Sequence, residues 1–411
     1  MGFKRIAFFI VVLSLMLQPA LRAETEDDDL LFVVFGDTRV AYQGAPIPVA
    51  FRRILTEINL INPDLVVHTG DLVYGYGDSE EQLKVEYSSI GKLMSSVVPK
   101  IYFVPGNHDF QTPLTTRYFK EMTGQKEAYF SFDYKDVTFI ILNTDAPGRV
   151  GEIAGEQLKW LENELEMKKD SRAVFVFMHR PLFSFLLPNA DQKGDLAEPM
   201  YNFVSEKARW SVIDLLTRYK VTAVFAGHEH LYYRTDYEGI PFITLGGGGA
   251  TFSVPPDKGG FFNYMIVSIK DKEVEFDLME PYHFSVETRT YQKDGKTYGE
   301  ALVHNIHGEV FKGVIPLHGI KFTLPKGNYT VKGESVVSPR QMVKAGESLG
   351  IVEKSAEEAK EKQIQALIAE NLKPSIHKIE PNKEDNEMVD VWVGVDAPGT
   401  FSVRLSVIPE P

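Results

Sequence analysis

The chain of 411 residues is 44% hydrophobic, 25% charged and 12% aromatic, which suffices for roughly two or three cored domains and excludes disorder as its main character. Its formal charge of -13 argues against a broad surface for nucleic-acid phosphates, a task that needs a basic face. It has no cysteine, so disulfides, iron–sulfur clusters and thiol nucleophiles are excluded, and any metal must be held by nitrogen and oxygen.

Residues 1–23 read as an export signal: Lys4 and Arg5 start it, residues 6–17 are apolar, and Leu21-Arg22-Ala23 offers a cleavage site before the acidic residues 24–29. About a dozen apolar residues are too few to span a bilayer comfortably. The expectation is therefore a periplasmic or extracellular protein with no membrane span after cleavage, an uncleaved anchor being the alternative. From residue 30 onward, apolar runs at 31–35, 64–68, 101–104, 137–142, 173–178 and 221–226 suit strands covered on both faces. Amphipathic stretches at 49–61, 80–97, 156–168 and 206–219 fall between several of them; in the third, Leu158, Leu161 and Leu165 share one face. This alternation predicts α/β architecture. Segments 264–269 and 273–278 read as antiparallel strands at a sheet edge.

The character changes after Pro281. Strand-like pieces at 285–291, 299–305, 319–324, 329–331, 389–395 and 400–407 predict a small β-sandwich, interrupted by a charged helix at 356–371. The expected division is a first domain at 30–282 and a smaller β-rich accessory domain at 283–411.

Five strand-like runs stop at short polar clusters: Gly36-Asp37-Thr38-Arg39, Gly70-Asp71-Leu72-Val73-Tyr74, Gly106-Asn107-His108-Asp109, Met178-His179-Arg180-Pro181 and Gly227-His228-Glu229-His230. One such cluster is ordinary turn chemistry. Five in order point to a site, because strand C-termini of an open α/β sheet collect at one edge. Carboxylates, an amide oxygen and imidazoles form a ligand set for zinc, manganese or iron, and two adjacent metals suit phosphate chemistry.

In these clusters the chain resembles the calcineurin-like metallophosphoesterase superfamily over roughly residues 30–280. The resemblance implies a two-sheet β-sandwich flanked by helices, with two metal ions held between the loops. It implies that Asp37 and His230 bind the first ion, that Asp71 bridges both, and that Asn107, His179 and His228 bind the second. His108 would position phosphate and protonate or polarise the leaving oxygen. Many members carry a histidine two residues after the first aspartate; here Arg39 stands there, a permanent cation with no lone pair to offer.

Tyr74 resembles the tyrosine of the GDxxY motif in the purple acid phosphatase branch, where it is a phenolate ligand to ferric iron. The stretch 227–234 is likewise similar to that branch's GHxHxYxR, and a glycine run follows at 246–249. The chain is thus closest to that branch, which usually has glycine where Arg39 stands. Tyr74 is a candidate metal ligand or a packing tyrosine, since ligation requires loss of a proton with an ordinary pKa of about 10. Arg39 suits a substrate phosphate oxygen, or a structural pair with a nearby carboxylate.

His68 is expected to be a satisfied strand histidine. His283, His304, His307, His318 and His377 lack ligand-like spacing and read as surface or packing residues. Residues 182–188 form either an apolar lid or buried core. The expected function is an exported phosphohydrolase with two metal ions, of iron, zinc or manganese, hydrolysing phosphate monoesters by direct attack of a metal-bound hydroxide. The ions would draw the phosphate ester despite the acidic surface. One alternative is a phosphodiesterase acting on nucleotides or cyclic nucleotides. Another is a degenerate binding scaffold, against which the presence of all six ligand positions and His108 counts.

Overall fold

The apolar runs and amphipathic stretches fold, in chain order, into β1 (Leu30–Phe35), α1 (Val49–Ile61), β2 (Leu65–His68), α2 (Glu80–Met94), β3 (Lys100–Phe103), α3 (Pro113–Thr123), β4 (Phe130–Tyr134), β5 (Val137–Ile141), β6 (Asp145–Ala146), β7 (Arg149–Val150), α4 (Gly155–Met167), β8 (Ala173–Phe177), α5 (Glu206–Arg218), β9 (Ala223–Ala226), β10 (Tyr232–Tyr237), β11 (Ile240–Leu245), β12 (Tyr264–Lys270) and β13 (Glu273–Met279). The structure is a computed structural model that describes residues 29–76, 79–186, 206–281, 284–305, 314–336, 372–398 and 402–410. The export segment 1–23 and the charged stretch 356–371 lie outside the described residues. Among those described, no helix is long and apolar enough to cross a membrane.

Helix boundaries follow local chemistry. α3 begins with a reciprocal cap between Thr112 and Thr115, has Pro113 at its first turn, and stops at Gly124 in the left-handed region. α2 ends three residues earlier than its apolar pattern suggests. There the Ser95 and Ser96 hydroxyls donate to the carbonyls of Lys92 and Leu93, groups otherwise left without partners at a helix end.

Two sheets form the centre. The first has the order β13-β12-β1-β2-β3, with β1, β2 and β3 parallel and β12 antiparallel to β1. The second has the order β10-β11-β9-β8-β5-β4, with β5, β8, β9 and β11 parallel and antiparallel strands at both edges. Between the sheets Phe32 packs edge-on against Phe139 at 5.2 Å and Phe175 at 5.0 Å; such pairs each stabilise by about 0.5–1.5 kcal/mol beyond area burial. The outer face of the first sheet is covered by α1, α2 and α3, and that of the second by α4 and α5. Helices on both sides of two packed sheets are the architecture expected from the sequence.

The C-terminal region comprises β14 (Phe284–Lys293), β15 (Lys296–Asn305), β16 (Val314–Pro325), β17 (Tyr329–Val336), β18 (Ser375–Pro381), β19 (Met388–Pro398) and β20 (Ser402–Pro409). They form two antiparallel sheets, β14-β15-β20-β17 and β16-β19-β18. β18 is a strand the sequence reading did not anticipate; its residues are mostly exposed, so no apolar alternation marks it. The apolar core of these sheets runs without a break into the cluster beneath α1: Leu317, Ile320, Val391 and Val393 share it with Phe51, Ile54 and Ile58.

Candidate metal centre

Each motif residue sits just past a strand end, where the chain turns sharply. Asp37, Asp71 and His228 adopt φ of 56°, 60° and 71°, a left-handed conformation that side chains other than glycine rarely take. The turns aim their side chains into one space between the sheets. The Asp37 carboxylate accepts the His228 backbone N–H at 3.0 Å, joining the ends of β1 and β9. Asp71 Oδ1 accepts the N–H of His108 at 3.1 Å. Asp109 ties the same two loops, accepting N–H bonds from Asp71 at 2.8 Å and Gly106 at 3.1 Å. Gly106 lies so close that a Cβ there would collide with Asp71 Oδ1, which is why this loop needs glycine.

The donor atoms converge. His179 Nε2 lies 3.2 Å from Asp71 Oδ1 and 3.0 Å from Asn107 Oδ1. His228 Nδ1 lies 2.8 Å from the same amide oxygen and 3.3 Å from His179 Nε2. On the other side His230 Nε2 approaches Asp37 Oδ1 at 3.6 Å. Asp37, Asp71 and His179 each bring a ligand atom within 4.8 Å of the others.

Hydrogen bonding shows that this set fits metal ions. A backbone carbonyl can only accept, so the Nδ1–H of His179 donates to Thr69 at 2.8 Å and that of His230 to Thr251 at 2.6 Å. In the neutral rings both Nε2 atoms then present bare lone pairs to carboxylate and amide oxygens, which cannot answer them without a cation. A histidine anchored to a backbone carbonyl on its far nitrogen is the arrangement of metal-ligating imidazoles. His228 is held differently: Arg180 Nη1 lies 3.0 Å from its Nε2 and donates to it, leaving the ring proton on Nδ1. Ligation through Nδ1 requires that proton to move to Nε2 and Arg180 to release it.

Electrostatics agree. Burial, together with the like charge of Asp71, raises Asp37 to about 7. Burial also opposes the charge on Asp71, yet His108 and His179 hold it well below the usual carboxylate range. His179 is lowered by burial but drawn up to about 9 by Asp71, so a proton is demanded where a cation would sit. Burial and then Arg180 push His228 well below the ordinary imidazole range; burial and then Arg39 lower His230 to about 4.

Above the centre opens a cavity of about 530 Å³ whose lining includes Arg39, Asp71, Tyr76, Asn107, His108 and Arg180. Arg39 Nε stands 3.7 Å from Asp71 Oδ2 and has no hydrogen-bond partner. His108 Nε2 lies 3.6 Å from the same oxygen, and its Nδ1 bonds the Tyr74 carbonyl. Tyr74 packs its ring 5.8 Å from Tyr76 and 6.1 Å from His108. Tyr76, which the sequence reading passed over, holds its ring 3.9 Å from that of His108 at a tilt of 43° and accepts a hydrogen bond from Asn107 at 2.8 Å. Also missed were Arg180 and Asp145, joined by bonds of 2.9 and 3.0 Å; Arg180 stood beside a quoted histidine, and Asp145 follows a strand end as the ligands do. His68 is buried in β2, paired with Thr38 Oγ1 at 3.0 Å and accepting the Gly70 N–H at 3.1 Å, a satisfied strand histidine. Of residues 182–188, Leu182 and Phe183 are core and Leu186 lines the cavity; 187 and 188 lie outside the described residues.

Comparison with known proteins agrees with this geometry. Residues 30–232 match the model of the calcineurin-like phosphoesterase family. The chain is similar to a serine/threonine-protein phosphatase of Mus musculus, 30% identical over 200 residues that cover 45% of this chain and 60% of that protein. It is similar to a probable cyclic nucleotide phosphodiesterase of Rhodococcus erythropolis, 25% identical over 44% of this chain and 55% of the relative. It is also similar to purple acid phosphatase 21 of Arabidopsis thaliana, 28% identical over 48% of this chain and 46% of that one. The chain thus spans about half the length of these relatives. Built on two packed sheets with the candidate ligands at the strand ends, residues 30–232 form a calcineurin-like phosphoesterase domain.

Proposed function

We propose that this chain is an exported phosphohydrolase that takes up two metal ions and cleaves phosphate monoesters. The observation that carries this reading is the meeting of Asp71, Asn107, His179 and His228 donor atoms beside Asp37 and His230, beneath a cavity lined by Arg39 and His108. When bound, such ions supply positive charge for the phosphate oxygens and activate water. The remaining chemistry belongs to the chain. Arg39 offers its unsatisfied Nε, charge-assisted, to a phosphoryl oxygen. His108 keeps its Nδ1 hydrogen on the Tyr74 carbonyl, so Nε2 is the atom that exchanges a proton with substrate. Burial lowers the pKa of this ring, which eases delivery of that proton to the departing oxygen.

The test is a panel of aryl phosphate monoesters and diesters after metal reconstitution. The expected result is a higher kcat/KM for monoesters. A preference for diesters would refute the monoesterase reading in favour of a phosphodiesterase. That second reading is supported by the cavity itself, which is larger than a phosphate needs and is lined in part by Phe110, Val150 and Leu186. Export rests on the basic, apolar and small-residue pattern of residues 1–23. Cell fractionation with N-terminal sequencing should find a chain beginning after Ala23 outside the cytoplasm; an unprocessed cytoplasmic chain would contradict it.

A further inference from the structure

Outside the phosphoesterase centre the fold brings together His318, His377 and Asp396, which lie far apart in sequence. β16 and β18 flank the central strand β19, and both lose register at their histidine: β16 between Leu317 and Ile320, β18 between Ile376 and Lys378. A bulge leaves one residue unpaired and re-aims its side chain. Here two bulges on opposite sides of β19 turn their rings to one place above Gly394. A Cβ at Gly394 would collide with His377 Nε2 and stand only 3.1 Å from His318 Cδ2, so the absent side chain makes the space the rings occupy. The ring centroids are 4.4 Å apart. Asp396 lies two residues beyond Gly394, hence on the same face of the strand, and its Oδ1 is 3.4 Å from His318 Nε2. The alternate residues Val391, Val393 and Val395 face the core.

We propose that His318, His377 and Asp396 form a second, separate metal site, for a first-row divalent cation of the zinc, copper or nickel class. Two imidazoles and one carboxylate suit those ions, whereas magnesium and calcium prefer oxygen ligands alone. An ion pair between His318 and Asp396 accounts for one bulge but not for the other, which brings a second imidazole to the same spot. The His318 and Asp396 side chains are 31% and 37% exposed, so an ion has access from solvent and keeps water on its open positions. As they stand the three side chains do not each bring a donor atom within 4.8 Å of the others; His377 Nε2 lies 3.4 Å from Ser375 Oγ, and binding requires this side chain to rotate toward Asp396. The site is structural: Gly319, next to His318, presses against the carbonyls of Asn59 and Leu60 at the end of α1. An ion here fastens the strand that docks the C-terminal sheets on that helix.

Zinc chloride titrated calorimetrically into the chelator-treated full chain tests this. Wild type should bind one equivalent more than His377→Ala and one more than His318→Gln, each checked for folding by circular dichroism. Because the readout is a difference in stoichiometry, it is independent of how the phosphoesterase centre loads and of any substrate. An equal number of equivalents in wild type and either folded variant overturns the proposal. Imidazole nitrogen resonances of the wild-type protein give a second measurement that needs no folded variant. Zinc should shift two histidines beyond those of the phosphoesterase centre, and no such shift also overturns it.

Discussion

Asn107 and His108 are neighbours in the chain that face different atoms, and substitution should separate their roles. On the proposed function His108→Ala removes the proton carrier at the cavity, so kcat should fall by about 10²–10⁴ with metal content unchanged; a variant with wild-type kcat would contradict the assignment. Asn107→Ala removes the oxygen that both His179 and His228 face, so the variant should lose metal on dialysis, as read by elemental analysis. Retention of full metal content would exclude Asn107 as a ligand. With Tyr74 as a phenolate ligand, the iron-loaded protein absorbs visible light and Tyr74→Phe does not, while Tyr76→Phe keeps the band; an unchanged spectrum in Tyr74→Phe assigns that residue to packing. The ligand candidates were legible because each directly follows an apolar run. Tyr76, Arg180 and Asp145 were not, because what they do depends on contacts with distant loops. His318 and His377 were read as surface or packing residues for the same reason: nothing local announces that two bulges face each other across β19.

At the scale of elements, the site depends on how tightly the strand-end loops pack. Gly106→Ala would force a methyl group against Asp71 Oδ1 and displace the β2 or β3 loop. The expected outcome is a loss of about 1–3 kcal/mol of stability together with weakened metal retention, measured by thermal melting and elemental analysis. A variant that melts and retains metal like wild type would show that the loops are slacker than this packing requires. Of the two central sheets, β1, β2, β3, β5, β8 and β9 were legible as apolar runs and β12 and β13 as antiparallel edge strands, whereas β4, β10 and β11 were not anticipated. Element ends were less legible, because they turn on single side chains such as the Ser95 and Ser96 hydroxyls that close α2. β18 left no apolar trace, since its residues face solvent more than core.

For the molecule as a whole, the shared core beneath α1 makes the C-terminal sheets part of one hydrophobic unit with the phosphoesterase domain. Leu317→Ala, at a fully buried position, should cost about 2–5 kcal/mol and lower a single melting transition; two transitions of which only one moves would show two independently stable domains. The acidic balance of the chain argues only against a broad basic surface, and the proposed function assigns phosphate recognition to metal ions and Arg39 at the strand ends. The most direct measurement of that claim is hydrolysis of an aryl phosphate ester by the purified protein before chelation, after exhaustive chelation, and after return of metal ions. Activity should vanish on chelation and return with metal in wild type but not in His108→Ala. Hydrolysis that persists in the fully chelated protein, or fails to appear with any ester after reconstitution, would contradict it.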